Sequence, residues 1–389
     1  MKARVQTGSS GRVLRPPEKR SLLDWDVRNF GAVGDGKADD TAALQRAIDA
    51  AGEKQATLLL PPGVYLTGKL NWRPRVGMMG YPTWSFAENG GSILRLMDDS
   101  ASCMIDMTGS IGATLHGVCM DGGQLGTDIH GVLIDKPDYG KTEDAPRFER
   151  CRISRFSGDG VRLKRIWCFS IRSCMISHNT GNGIWIRGWD GFLLDNWLSG
   201  NGGAGYCAEE ENLSITVTGN RVEWNQRAGF LVRGGGHYNL TGNYIDRAGG
   251  PGIWFGPRGN VRCTVISVVG NVIYRSGRPE WCPSDDKYAS CHARFEACNG
   301  LVFSGNTVNV SKDDRGNGQF SPRFGLVLRG LETSIIKDTV MHCGAIEQLI
   351  VDQGEHGEDV IIRDNIGTLF DPGSMPPSNL NAAWADPAW

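Results

Sequence analysis

The chain's 389 residues carry 41 Lys and Arg against 43 Asp and Glu, a formal charge of −2 that excludes the basic surplus of a nucleic-acid scaffold or of a protein drawn to anionic membranes. No apolar run approaches the roughly 18 residues of a membrane span. The 54 glycines are about twice the ordinary share of roughly 7%, as a fold made of many tight turns requires.

Residues 1–24 read as an arm, with six Lys or Arg and one acid in the first 20 and no apolar segment of the kind that marks a secretory signal. An arm this polar orders only against a partner, so a homotrimer or other oligomer joined through the termini is expected. Residues 25–70 read as a cap. Val27 to Phe30 has a strand pattern; Gly31-Ala-Val-Gly-Asp-Gly-Lys-Ala-Asp39-Asp40 is a glycine-rich turn ending in candidate N-caps. A helix over Thr41 to Ala51 follows, with Leu44, Ala47, Ile48 and Ala51 on one face and Gly52 as its C-cap, then a strand over Thr57 to Leu60.

From residue 71 to about 367 the chain repeats itself. Segments led by Gly160, Gly183, Gly205, Gly229 and Gly252 start 23, 22, 24 and 23 residues apart, and a second register runs through Cys151, Cys174, Asn196, Asn220, Asn243 and Asn271. Each period holds two or three short alternating strands and Gly/Asn turns, with no helical stretch of ten residues. One coil cannot bury its own apolar side chains, so coils stack. The reading is all-β: a single-stranded, right-handed parallel β-helix closed at its N-terminal end by a short helix. Adjacent coils then lie roughly 4.8 Å apart, and equivalent positions form ladders. Odd offsets from each leading glycine (Val161 and Leu163, Ile184 and Ile186, Phe230 and Val232, Ile253 and Phe255) face in, even offsets out, and inward asparagines bond the turns above and below.

Two strings, Val27-Arg-Asn-Phe-Gly-Ala-Val-Gly-Asp-Gly-Lys-Ala-Asp-Asp-Thr-Ala-Ala-Leu-Gln-Arg-Ala-Ile-Asp-Ala-Ala51 and Leu60-Pro-Pro-Gly-Val-Tyr65, resemble the N-terminal signature of the pectate lyase-like superfamily. Polysaccharide hydrolases, lyases, epimerases and bacteriophage tailspikes share that signature. The resemblance implies a β-helix that acts on or binds polysaccharide, outside the cell or on a virion. It carries over no catalytic residue: the Asn-Thr-Asp, Gly-His-Gly and Arg-Ile-Lys strings of the polygalacturonases, the Trp-Asp-His of pectate lyases and the Asp-Pro-His-Glu of alginate epimerases are all absent.

Candidates therefore come from the outward ladders. On the asparagine-led strands Glu223 and Asp246 should stack one coil apart, about 5 Å, which suits two carboxyls that share a glycosidic bond. On a glycine-led strand Glu209 and Glu211 should share the outer face about 7 Å apart. Close carboxylates raise one another's pKa and so create a general acid. Trp185 and Trp254 with Tyr244, Arg187 and Arg233 would hold the sugar, since outward aromatic rings offer apolar faces to it. The expected function is polysaccharide binding with glycoside hydrolysis by paired carboxylates. Glycan binding without turnover is the first alternative, and β-elimination by a calcium-dependent lyase the second, though no acidic cluster compels a metal and no cofactor is read. Isolated exposed acids on adjacent coils are otherwise a solvated face with weak ion pairs.

Two stretches break the period, residues 278–300 and 312–323, and read as loops leaving the coil. The first holds Cys282, Cys291, His292 and Cys298, whose spacing fits no usual zinc pattern, and both a disulfide and free thiols remain open there. Residues 368–389 form a polar tail whose Trp384 and Trp389 would dock on a neighbouring subunit or on the last coil.

Overall fold

A computed structural model describes residues 22–82, 84–86 and 90–373. The expectations for the arm before residue 22 and for Trp384 and Trp389 lie outside the described residues. A right-handed parallel β-helix runs from Asp35 to Leu369, with every strand pairing parallel to those one coil away. The asparagine-led strands belong to one 13-stranded ladder. The glycine-led strands pair at the spacing read from the sequence, Val161 with Ile184, Ile184 with Tyr206, Tyr206 with Phe230 and Phe230 with Ile253.

The odd-offset residues form the core as expected: Val161, Leu163, Ile184, Ile186, Ile253 and Phe255 are fully buried and Phe230 and Val232 nearly so. Their period of two along each strand and the coil-length period along the chain combine into one continuous apolar column. The asparagine ladder is continuous too. Asn196, Asn220, Asn243 and Asn271 each donate a side-chain N–H to the side-chain oxygen of the asparagine in the next coil, at 2.9 to 3.0 Å, ending on Asn306. Each side-chain oxygen also accepts the backbone N–H of the preceding rung, so turns that would strand buried amides are satisfied. A second ladder, Asn179–Asn201–Asn225, does the same where the asparagine-led strand turns into the glycine-led one. Only Asn201 of its members follows a glycine, so no Gly-Asn pair repeats along this ladder to mark it in the sequence.

The cap differs from its sequence reading in detail. Val27–Phe30 is a 3-10 turn, not a strand, and the helix α1 spans Thr41–Lys54, running through Gly52 to end at Gln55 in the left-handed region. Asp40 does not cap α1 with its side chain; its carboxylate accepts the N–H groups of Val33 (2.6 Å) and Gly34 (3.0 Å), folding the glycine-rich loop against the helix start. Gly34 needs its hydrogen: a Cβ there would come within 2.6 Å of the Tyr65 ring, at φ +69°. No helix among the described residues is long and apolar enough to cross a membrane.

Cys151 and Cys174 lie in the core, and all eleven cysteines are free thiols. The first inserted loop is shorter than the 278–300 expected, because Cys291–Glu296 and Cys298–Ser304 are coil strands paired to Ile253–Phe255 and Cys263–Val269, so Cys291 and Cys298 are buried in the coil and Cys282 is half-buried in the loop. His292 is enclosed beside them, its pKa pushed down to about 3 by burial.

Candidate functional site

The residues read as one sugar track fall on two faces. Glu223 and Asp246 are register partners on adjacent asparagine-led strands, as their spacing requires. Both point outward by parity, yet both are 1% exposed. Glu223 accepts the indole N–H of Trp197 (2.9 Å) and Nε–H of Arg221 (2.8 Å). Arg221 in turn stacks over Trp197 and Tyr244, so the cover is closed, and Trp84 and Phe86 pack on Trp197 from above. Burial raises the Glu223 pKa against the pull of Arg221 and Trp197.

Asp246 accepts both prongs of Arg275 (3.0 and 2.9 Å) and Nη1–H of Arg247 (2.6 Å). Arg247 continues to Asp313 and Asp314, and Arg275 donates to the carbonyl of Lys312 (2.8 Å), so the acid anchors the second inserted loop to the coil. Neither carboxyl reaches a surface where a sugar and its attacking water could sit. The expected first catalytic pair is thereby corrected: parity gave its direction, and covering loops decided its environment.

The second pair fails for a local reason. Glu210 and Glu211 both take left-handed backbone conformations (φ 58° and 39°) at a register shift between Glu209 and Asn212, so the alternation that would align Glu209 with Glu211 is broken. Glu211 bonds Arg187 at 2.8 to 2.9 Å and its pKa is lowered by that contact, while Glu209 and Glu210 pair with Arg258. This is an ion-pair network on the outer surface, and it takes Arg187 out of the sugar-binding set. Trp185 is half-buried under Arg162, whose guanidinium lies 4.1 Å from the ring, and packs against Ala204, Cys207 and Ala228.

Trp254 is the predicted aromatic that opens onto a groove. The loop from residue 278 stands beside the turns that follow the asparagine-led strands and leaves a cavity of about 580 Å³, lined by Trp254, Trp281, Leu231, Arg227, Arg294 and Asp286 among others. A neighbouring cleft of about 290 Å³ is lined by Trp224, Gln226, Glu280 and Trp281; Gln226 and Trp281 belong to both spaces, so the two are contiguous. Volumes of this size suit a ligand of a few rings.

Arginines brace the walls. Arg233 and Arg294 stand 5.1 and 4.9 Å from the Trp254 ring, and the Trp254 indole N–H donates to Glu296 (3.0 Å). Arg294 bridges Glu296 and Asp286. Arg247 lies 4.3 Å from Trp224 and Arg278 lies 4.4 Å from Trp281. Each such stack fixes an indole's tilt as well as its position. Arg278, 2% exposed, is itself held by Asp313 (3.0 Å) and Glu280 (2.9 Å). Asp246, lost as a catalyst, thus sits at the root of the scaffold that presents Trp224 and Trp281.

Asp286 and Glu280 are the carboxylates on the groove's walls. Burial works to raise both, and the balance goes the other way: Arg294 and the Tyr288 N–H lower Asp286, and the Gln319 N–H and Arg278 lower Glu280. Both are anions at neutral pH. Sequence reasoning missed Trp224, Trp281 and Glu280 because two of them lie in the aperiodic loop and Trp224 sits at a turn, in the left-handed region, where strand parity says nothing.

A family profile described as rhamnogalacturonase A/epimerase, pectate lyase-like, matches residues 25–253, more than half of the chain. Among curated proteins, mannuronan C5-epimerase AlgE6 of Azotobacter vinelandii is 26% identical over 227 residues, 51% of this chain and 24% of the epimerase, so the chain spans about a quarter of that relative's length. The AlgE6 A-module superposes with a TM-score of 0.57 at 17% identity, covering 90% of this chain and 100% of the module. DFA-IIIase of Arthrobacter chlorophenolicus A6 superposes at 0.63 and 14% identity (88% and 93% covered), and tailspike protein 2 of Escherichia coli O157:H7 bacteriophage CAB120 at 0.61 and 15% (80% and 42% covered). At such identities the superpositions speak for the fold alone. The profile match, running from the cap through the glycine-led coils, places the chain in the rhamnogalacturonase A/epimerase family of pectate lyase-like β-helix proteins.

Proposed function

We propose that the protein is carbohydrate-active: it takes a polysaccharide into the groove walled by Trp254, Trp281 and Trp224 and hydrolyses it there, with Asp286 and Glu280 as the carboxylates in reach. The observation that carries this is the convergence of three arginine-backed indoles and two carboxylates on one contiguous groove. Indole faces take the apolar faces of sugar rings, and the carboxylates accept hydroxyl hydrogens or stabilise positive charge developing at the anomeric carbon. The names of the relatives, epimerases among them, support a polysaccharide as substrate. Action outside the cell or on a virion, and assembly into trimers, belong to the same reading; a trimeric mass in light scattering supports the assembly and a monomeric one removes it.

A second reading has an observation of its own. Hydrogen-bond donors lower both groove carboxylates, Arg294 for Asp286 and the Gln319 N–H with Arg278 for Glu280, so neither offers the raised-pKa acid that protonates a leaving oxygen. Binding without turnover fits that chemistry. Incubation with a panel of capsular and cell-wall polysaccharides separates the outcomes: new reducing ends mean hydrolysis, an unsaturated product absorbing in the ultraviolet means elimination, and retention without product means binding alone. Loss of both retention and product in Trp254→Ala locates either activity in the groove; an unaltered Trp254→Ala overturns the assignment.

A further inference from the structure

The cleft between Trp224 and Trp281 has a charge that selects among sugars. Besides the two indoles, Gln226 and Glu280 line it. No arginine lines it; Arg247 and Arg278 stack on the ring faces of Trp224 and Trp281, and both are committed to acids. Arg247 pairs with Asp246, Asp313 and Asp314, and Arg278 pairs with Asp313 and Glu280. With Arg275 the cluster holds three guanidiniums against Asp246, Asp313, Asp314 and Glu280, one negative charge in excess. The member of the cluster that faces the cleft is the Glu280 carboxylate, about a quarter exposed.

We propose that this cleft is a subsite for a neutral sugar ring and that Glu280 excludes uronates from it; the inference rests on the groove being a glycan site. A neutral pyranose gains on both sides: its ring faces meet two indoles whose tilt is fixed by arginine stacks, and its hydroxyls donate to Glu280 and exchange hydrogen bonds with the Gln226 amide. A ring carrying a carboxylate brings a second anion beside Glu280 in a partly desolvated cleft, with the arginines already neutralised. The wider space next door differs in kind, since it carries the exposed Arg227 on its wall. A mixed glycan, with neutral rings in the narrow cleft and charged substituents beside Arg227, suits the groove as a whole.

The experiment compares matched pairs: short oligomers of glucose, galactose and mannose against the corresponding oligomers of glucuronate, galacturonate and mannuronate, which differ only at C6. Affinity is measured by calorimetric titration of the full chain, wild type and Glu280→Gln, at low and moderate salt. The expected result is neutral binding favoured by about tenfold or more in the wild type, a preference that falls in Glu280→Gln and narrows as salt is added. Trp281→Ala should lose both members of a pair. Equal or stronger uronate binding by the wild type overturns the inference, as does a preference unmoved by Glu280→Gln while Trp281→Ala still abolishes binding. If no oligomer of either class binds, the glycan reading of the groove itself falls, and the selectivity falls with it. Thermal unfolding of each variant guards against misfolding, and Glu280→Asp, which keeps the charge, should restore the preference.

Discussion

Two sets of acids in this molecule stand in opposite situations. Glu223 and Asp246 lie on the regular ladder, stacked one coil apart, and are sealed beneath Trp197, Arg221 and the second inserted loop. Glu280 and Asp286 lie on an aperiodic loop with no register at all, and they line open space beside indoles. The regular positions became scaffold and the irregular ones became surface. In a solenoid the coil supplies a repeated, well-packed wall, and whatever leaves the coil decides which parts of that wall are buried.

Removing Asp246 makes the contrast largest. Asp246→Ala takes from Arg275 and Arg247 the buried one of the two anions they share, leaving only the exposed Asp314 in common, and chemical denaturation should show a loss of roughly 3–5 kcal/mol. Glu209→Ala, on the exposed network with Arg258, should change stability by less than about 1 kcal/mol. A small effect at Asp246 would mean that the second loop is not anchored through it. Next in size is binding. Trp281→Ala should weaken retention of a bound polysaccharide by about 2 kcal/mol, near thirtyfold, as for a central aromatic anchor, whereas Trp197→Ala on the sealed face should leave retention nearly intact.

Titration gives a subtler discrimination. Burial raises the Glu223 pKa in the folded state, so its contribution to stability is fully present below the ordinary carboxyl range and is lost as pH rises through the folded value. Glu211, whose pKa Arg187 lowers, behaves the other way: its contribution is present above the ordinary carboxyl range and lost as pH falls through the folded value. Stability curves for Glu223→Gln and Glu211→Gln should therefore diverge from wild type at opposite ends of the acidic range, and divergence at the same end would refute the difference in environment. The smallest effect is expected for Arg187→Ala, within about 1 kcal/mol, because its partners are exposed.

The fold was largely legible in the sequence. The leading glycines at Gly160, Gly183, Gly205, Gly229 and Gly252 and the run Asn196 to Asn271 gave the period, the pairing and the inward faces, because stacking forces equivalent residues into register. Trp254 was legible as outward and opens on the groove. Trp185 and Tyr244 were legible as outward and are covered, by Arg162 and Arg221. Glu209 and Glu211 were misjudged because strand alternation was extended through two residues that leave the β region. Trp281 and Glu280 could not be found, since no periodicity runs through their loop.

Periodicity alone thus determined the coil, its core column and its hydrogen-bonded ladders, for these depend on the nearest coil and repeat with the chain. Only the tertiary structure decided which outward side chains meet solvent. That depends on where the two insertions come to rest, and they are fixed by contacts such as Arg275 to Lys312, Arg247 to Asp313 and Arg278 to Asp313, between residues whose separations follow no repeat. An ion pair across dozens of residues leaves no pattern in a sequence, whereas a buried strand leaves one at every second position.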